Sequence, residues 1–367
     1  MMDADEQARL TSWIATQLVD ADDLRIERLE VADFGHSAET LLFSVAWHAH
    51  DGDHREDVVL RTRPAGHGLL PPYDLERQFE ILRGLEGTSV RSPRALWFEP
   101  TGDVLGRDFY VMERIDGSVF EQRVPKEIAT DPARIRRMTE AIVEHIAAIH
   151  SVDLQTTGLH AIADGHDYLD REMERWTGEL RRLQRGPTPA LERLLEAVRE
   201  QQPEPCPHIT LVHGDPKPGN FAFVGNEISA VYDWELATIG DPLADIGWAE
   251  LLWAAPVGLP SLPGALTIDE FIARYEQLTG ISVQHRDWYR AFQMLKTAVI
   301  MLSGSMLFDS GESDDLRLAE MGPVVHWYTR KALVEFGLDP DIESGPVMPR
   351  QERIDEVRSA AAAPGVN

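Results

Sequence analysis

Residues 211–247, LVHGDPKPGNFAFVGNEISAVYDWELATIGDPLADIG, constrain this chain more than any other stretch. An apolar run ends at Val212, His213-Gly214-Asp215 follows, and Asn220 stands five residues past the aspartate. Phe221 to Val224, a Gly-Asn turn at 225–226 and Ile228 to Tyr232 read as a tight hairpin whose second strand delivers Asp233. A hairpin returns the chain beside its start, so Asp215, Asn220 and Asp233 are expected to converge at one end. Two carboxylates and a carboxamide oxygen form a hard-oxygen set suited to Mg²⁺ held jointly with substrate phosphates. One carboxylate is then left to orient a hydroxyl nucleophile. Lys217, two residues past Asp215, lies within reach of a transferred phosphate. An ordinary solvated turn competes as a reading of the loop alone; the loop, hairpin, Asp233 and GDPLAD taken together weigh against it.

HGDPKPGN, followed by an aspartate at the end of the next hairpin, resembles the catalytic loop and metal motif of the kinase-like fold. Trp234 stands where protein kinases carry Phe, and no Ala-Pro-Glu segment follows. The run DWELATIGDPLADIGW is similar to the aminoglycoside-phosphotransferase-like family of small-molecule kinases, and most to the branch associated with acyl-CoA dehydrogenases. The resemblance covers roughly residues 25–335. It implies an α+β, two-lobe protein-kinase-like fold. An N-terminal antiparallel sheet lobe, residues 1–115, would bind nucleotide. A larger helical lobe, 116–367, would carry the catalytic loop and the acceptor site.

The strand patterns Leu24 to Val31, Leu41 to Trp47 and Asp57 to Arg63 suit that sheet, after an amphipathic helix over 5–19. Between the first two strands, Gly35, Ser37 and Thr40 are expected to cradle phosphates with backbone N–H groups. Family members often carry Asn where this chain has Ala38. Arg61 occupies the strand position where the kinase template has Lys. On the helix from about Asp74 to Glu86, Gln78 faces inward where the template has Glu, so an Arg61–Gln78 pair is expected at the phosphates. The backbone of Glu113 to Ile115 is expected to offer adenine an acceptor and a donor. The turn HAHDGDH gathers three histidines and two aspartates, but a flexible acidic turn holds no ligand geometry.

Asp131-Pro132 opens a helix with the buried stripe Ile135, Met138, Ile142, Ile146 and Ile149, ending at His150, where the family often has His. Asp245 resembles the family's aspartate that braces the catalytic-loop backbone. Further helices are expected over 168–184, 189–201, 268–279, 285–303 and 315–336, with a peripheral tail from 344. Trp248, Trp253, Trp288, Tyr289 and Phe292 read as helical core in preference to an acceptor pocket.

With 35 basic and 62 acidic residues the net charge is −27, a field that repels nucleic acid and anionic membranes and attracts cations. One cysteine, Cys206, excludes an internal disulfide and fits a reducing cytoplasm. The N-terminus lacks a signal-peptide pattern and no apolar run reaches about 18 residues, so a cytoplasmic protein without a membrane span is expected. The combined reading is transfer of the γ-phosphoryl group of ATP, with GTP as the alternative, to a small-molecule hydroxyl. Asp215 orients the hydroxyl, Asn220 and Asp233 hold Mg²⁺, and Lys217 and Arg61 offset charge. A hydroxyacyl thioester and an aminoglycoside or macrolide remain open as acceptor, as does oligomeric state. A nucleotide-binding module without turnover is the rival, encouraged by Arg61 and Gln78.

Overall fold

Asp3 caps the first helix, α1 (Ala4–Gln17): its carboxylate accepts from the Glu6 N–H, and Glu6 reaches back to the Asp3 N–H. This reciprocal pair satisfies amides that a helix start leaves bare. In the computed structural model, residues 2–18, 20–31, 39–64, 68–69, 73–163 and 168–362 are described. Gly35 and Ser37 lie outside them.

The N-terminal sheet has five antiparallel strands, β1 (Asp22–Val31), β2 (Glu39–Ala49), β3 (Gly52–Thr62), β4 (Ala95–Glu99) and β5 (Phe109–Glu113), in the order β1-β2-β3-β5-β4. β3 starts five residues earlier than its apolar pattern, because the polar turn continues the ladder: His54 pairs with Trp47 and stacks on it at 5.2 Å. His48 and His54 bind Asp53 and Asp51 within that turn. One sheet face buries Phe43, Val45, Val58, Leu60, Phe109 and Val111 with Leu10 and Ile14 of α1. The helix α2 (Leu75–Leu85), capped by Asp74, packs against β4 and β5 and buries Leu75, Gln78, Phe79, Leu82 and Leu85.

Beyond β5 the chain becomes helical. α3 (Lys126–Ala129) leads to α4 (Pro132–His150), with Asp131 as N-cap, Pro132 in the first turn, and the whole expected isoleucine–methionine stripe buried. α5 (Tyr168–Leu183) and α6 (Pro189–Glu200) follow. β6 (Thr210–Val212) enters the catalytic-type loop, and β7 (Phe221–Val224) and β8 (Glu227–Val231) form the expected hairpin around Gly225. A pairing the sequence pattern did not reveal joins β6 to β9 (Thr238–Gly240), which closes residues 210–240 into one loop.

α7 (Leu243–Trp253), α8 (Ile268–Thr279), α9 (Arg286–Ser310), α10 (Leu316–Ala319), α11 (Met321–Glu335) and α12 (Gln351–Ala362) complete the fold. α9 runs seven residues past its expected end and packs on α7 and α11. By length and composition it could cross a membrane, yet 89 % of its apolar window is buried inside the protein. The expected helix over 315–336 is two, since Pro323 has no N–H for the Ala319 carbonyl and its ring crowds that turn. The tail is not peripheral: Val347 is buried, its carbonyl accepts from Ser305 Oγ at 2.9 Å, and Arg350 binds Asp309 at 3.0 Å. Trp248, Trp253, Trp288, Tyr289 and Phe292 are all buried core residues.

Candidate functional site

The loop after β6 is held before it is functional. Asp245, in the first turn of α7, accepts the His213 N–H at 2.7 Å and the Gly214 N–H at 2.8 Å, and binds His150 at 3.1 Å. His150 in turn meets the Tyr275 hydroxyl at 2.7 Å. Burial pushes the Asp245 carboxyl up, but His150 and the loop amides outweigh it and hold it below the usual carboxylate range. Gly214 turns with φ +82°, and a Cβ there would sit 2.5 Å from the Leu236 carbonyl oxygen, so only glycine makes this turn without moving backbone. The His213 imidazole bonds the Tyr232 carbonyl at 2.8 Å, tying the start of the loop to the end of the hairpin.

These bonds bring Asp215, Lys217 and Asn220 together. Asn220 Nδ2 donates to the Asp215 carbonyl at 2.8 Å and to its Oδ2 at 3.2 Å, while Lys217 Nζ lies 3.4 Å from Oδ2 and 3.5 Å from Glu121. Asp215 Oδ1 is buried without a hydrogen-bond partner among the described residues. Burial raises the Asp215 carboxyl above the ordinary range, against the pull of Lys217. Lys217 is pushed up in turn, chiefly by Asp215.

Asp233 follows β8 in the left-handed region, φ 65° and ψ 61°, a conformation aspartate tolerates better than most residues. Arg61 Nη1 meets it at 3.2 Å and Arg61 Nη2 lies 3.6 Å from Glu235. Burial opposes ionisation of Asp233, but Arg61 and then Lys217 hold its carboxyl below the usual value. Trp234 fills the position after it, its indole N–H on the Val231 carbonyl and its ring 4.7 Å from that of His213.

The expected Arg61–Gln78 pair does not form. Gln78 is buried on the inner face of α2 as expected, but its Oε1 accepts from the Tyr110 hydroxyl at 3.1 Å. Tyr110 is the cross-strand partner of Arg61 and stands between them, and the guanidinium finds full carboxylates instead of an amide. Burial, against the pull of Arg61, lifts the Tyr110 hydroxyl to about 12, so it stays a donor. At the end of β5 the Glu113 N–H is taken by the Arg94 carbonyl at 2.9 Å, and just beyond it the Ile115 carbonyl accepts from Tyr232 at 2.9 Å. The Ile115 N–H has no hydrogen-bond partner among the described residues. Among those residues no group of three or more His, Cys, Asp or Glu has metal-binding geometry.

Sequence reading passed over Tyr110, Tyr232, Glu121 and Lys296. Lys296 Nζ donates to the Gly214 carbonyl at 2.7 Å from inside α9. Its signal was available: between Arg290 and Asp309 it is the only charged residue in an apolar run. A buried unneutralised charge is rare enough to demand a reason.

Comparison with known proteins places the fold and the family. The chain is 32 % identical over 257 residues to acyl-CoA dehydrogenase family member 10 of Mus musculus, covering 66 % of this chain and 24 % of that protein. It is 29 % identical over 301 residues to Arabidopsis thaliana IBR3, named as an acyl-CoA dehydrogenase, covering 74 % and 36 %. The chain thus spans about a quarter to a third of the length of the curated relatives it matches. Its fold is that of a Ralstonia eutropha protein classed as an aminoglycoside phosphotransferase: TM-score 0.72, 24 % identity, 90 % of this chain and 98 % of that one. A hygromycin B and AMP-PNP complex of aminoglycoside phosphotransferase APH(4)-Ia shares it at TM-score 0.58 and 15 % identity, covering 94 % and 99 %. The family model described as "Phosphotransferase enzyme family" matches residues 42–292, more than half of the 367 and including the whole loop, hairpin and Asp245, and the chain therefore belongs to the phosphotransferase enzyme family.

Proposed function

We propose that this phosphotransferase moves the γ-phosphoryl group of a nucleoside triphosphate, ATP in the first instance, to the hydroxyl of a small molecule. The carrying observation is Asp215: a buried carboxylate with Oδ1 unpartnered among the described residues and Oδ2 held by Asn220 and Lys217. A free, fixed acceptor oxygen is what orienting a hydroxyl and taking its proton require. Its raised pKa brings it nearer to the working range of a base.

The donor set fits Mg²⁺. Asn220 spends its amide N–H groups on Asp215, which leaves Oδ1 to coordinate. Asp233 follows Tyr232, whose N–H donates to the Asn220 carbonyl at 2.8 Å, and the Asp233 carboxyl is held below the usual carboxylate range. Two hard-oxygen ligands are few for a protein-only site but suit a metal shared with phosphates, where Mg²⁺ would neutralise charge developing on the transferring group. Lys217 and Arg61 add positive charge there. The Ile115 N–H, without a hydrogen-bond partner among the described residues, suits an acceptor nitrogen of adenine, with the nucleotide between a sheet lobe, 1–115, and a helical lobe, 116–367.

For the acceptor, relatives named for acyl-CoA dehydrogenation favour a hydroxyacyl thioester. The aromatic residues of 248–292 lend that choice no support, since they are core. The net charge of −27 favours the second reading, a cationic aminoglycoside, though charge spread over a surface is screened beyond about 8 Å at physiological salt. Steady-state ATP consumption against hydroxyacyl-CoA esters, kanamycin-type aminoglycosides and a macrolide separates these. A hydroxyacyl ester is expected to be the best acceptor, with Asp215→Ala slower by about 10²–10⁴-fold and Mg²⁺-ATP affinity retained. Aminoglycoside turnover at kcat/KM above about 10⁴ M⁻¹s⁻¹ reverses the choice of acceptor, and an undiminished Asp215→Ala rate removes the assigned role.

A further inference from the structure

Lys296 is a lysine where a lysine is costly. It lies mid-way along α9, is 3 % exposed, and no carboxylate stands within 4 Å among the described residues. Burying an ammonium without a counter-ion normally expels the proton or the residue. Three contacts replace its hydration: the Gly214 carbonyl at 2.7 Å, the Trp248 ring at 4.7 Å and the Trp176 ring at 5.7 Å. Indole faces attract a desolvated cation most strongly of the aromatic side chains. Glu172 and Arg175 of α5, Asp215 of the loop and Asp245 of α7 face it at longer range. Burial pulls its pKa below that of a free lysine, and the three carboxylates oppose that fall while Arg175 adds to it.

The partner it chooses gives the arrangement a purpose. The Gly214 N–H is already taken by Asp245, and its carbonyl belongs to the peptide whose next residue is Asp215. The peptide groups at Gly214 are thus gripped from α7 through the amide hydrogen and from α9 through the carbonyl oxygen. We propose that Lys296 is a positioning residue for phosphoryl transfer, its ammonium fixing the Gly214–Asp215 peptide so that the Asp215 carboxylate points at the acceptor. This rests on the role proposed for Asp215. It also makes α9, the longest helix of the described residues, part of the catalytic support instead of core alone.

The test is a double-substitution cycle of Lys296→Met and Asp215→Asn in the full chain. Mg²⁺-ATP is the probe and water the acceptor, read as phosphate release, with Mg²⁺-ATP affinity and thermal unfolding measured alongside. Lys296→Met is expected to fold and to keep KM for ATP within a few-fold. Its kcat is expected to fall by up to about 10²-fold, the scale of a misplaced catalytic group. In the Asp215→Asn background the same substitution is expected to cost nothing further. A folded Lys296→Met with undiminished kcat, or an equal loss in both backgrounds, overturns the proposal. If Lys296→Met fails to fold, Lys296→Leu, which likewise removes the donor to the Gly214 carbonyl, carries the same cycle and the same criteria. An Asp215→Asn variant as fast as wild type instead sinks the role of Asp215, so the two failures are distinguishable.

Discussion

At the scale of single residues, the site is built by giving strong hydrogen-bonding groups one task each. Asp245 shows the cost and the return. It is 1 % exposed, its two oxygens take two loop amides and His150, and its pKa is depressed in spite of burial. A carboxyl whose folded pKa lies below its unfolded value stabilises above the unfolded pKa, near 3.9, and that contribution is lost as the pH falls through the folded pKa. Asp245→Asn is therefore expected to destabilise by about 3–5 kcal/mol at pH 7, with the gap to wild type closing below about pH 4. Urea unfolding at both pH values checks this. A gap that stays constant with pH would mean that packing, not charge, does the bracing. Gln78 shows the opposite case, where an amide serves a tyrosine hydroxyl and leaves Arg61 to the carboxylates of Asp233 and Glu235.

At the scale of elements, the loop of Asp215 hangs between α7 and α9, and how closely these approach is set by one glycine. A Cβ on Gly247 would meet the Tyr289 backbone at 2.7 Å, and backbone cannot swing away as a side chain can. Gly247→Ala is expected to separate the helices, cost about 1–3 kcal/mol by overpacking, and slow turnover by disturbing Asp245 and Lys296 together. Gly178, exposed on α5 with nothing near its missing Cβ, is the control. Gly178→Ala is expected to stabilise by about 0.5–1 kcal/mol through helix propensity. Thermal unfolding of the pair reads both. Equal effects of the same sign would mean the α7–α9 approach is not limiting.

At the scale of the whole molecule, Arg61 on β3 and Asp233 after β8 join the sheet to the helical part by a bond 172 residues apart in sequence. The same carboxylate is the proposed metal ligand. Mg²⁺-ATP is expected to raise the unfolding temperature of wild type, because a ligand bound only by the folded state stabilises it by mass action. Asp233→Ala is expected to lose most of that metal-dependent gain. Differential scanning fluorimetry with ATP, with and without Mg²⁺, tests it, and an equal gain in the variant would remove Asp233 from the metal site.

Local pattern was enough to read the Asp131-Pro132 helix start, the β7–β8 hairpin and the convergence of Asp215 with Asn220, because turn chemistry and short loops act over a few residues. It also put Gln78 on the inner face of α2, since a helix repeats every 3.6 residues whatever it packs on. What Gln78 touches was not legible. Tyr110 arrives from another strand, and cross-strand register decides that it stands between Gln78 and Arg61. Sequence likewise left β6–β9, the packing of Val347 and the Lys296–Gly214 bond unseen. Lys296 and Gly214 are 82 positions apart, and no periodicity links them. Covalent geometry and solvent preference set each element along the chain. Only the folded core chose the partners of its buried polar groups, because each must find a bond within the dry volume that tertiary packing leaves it.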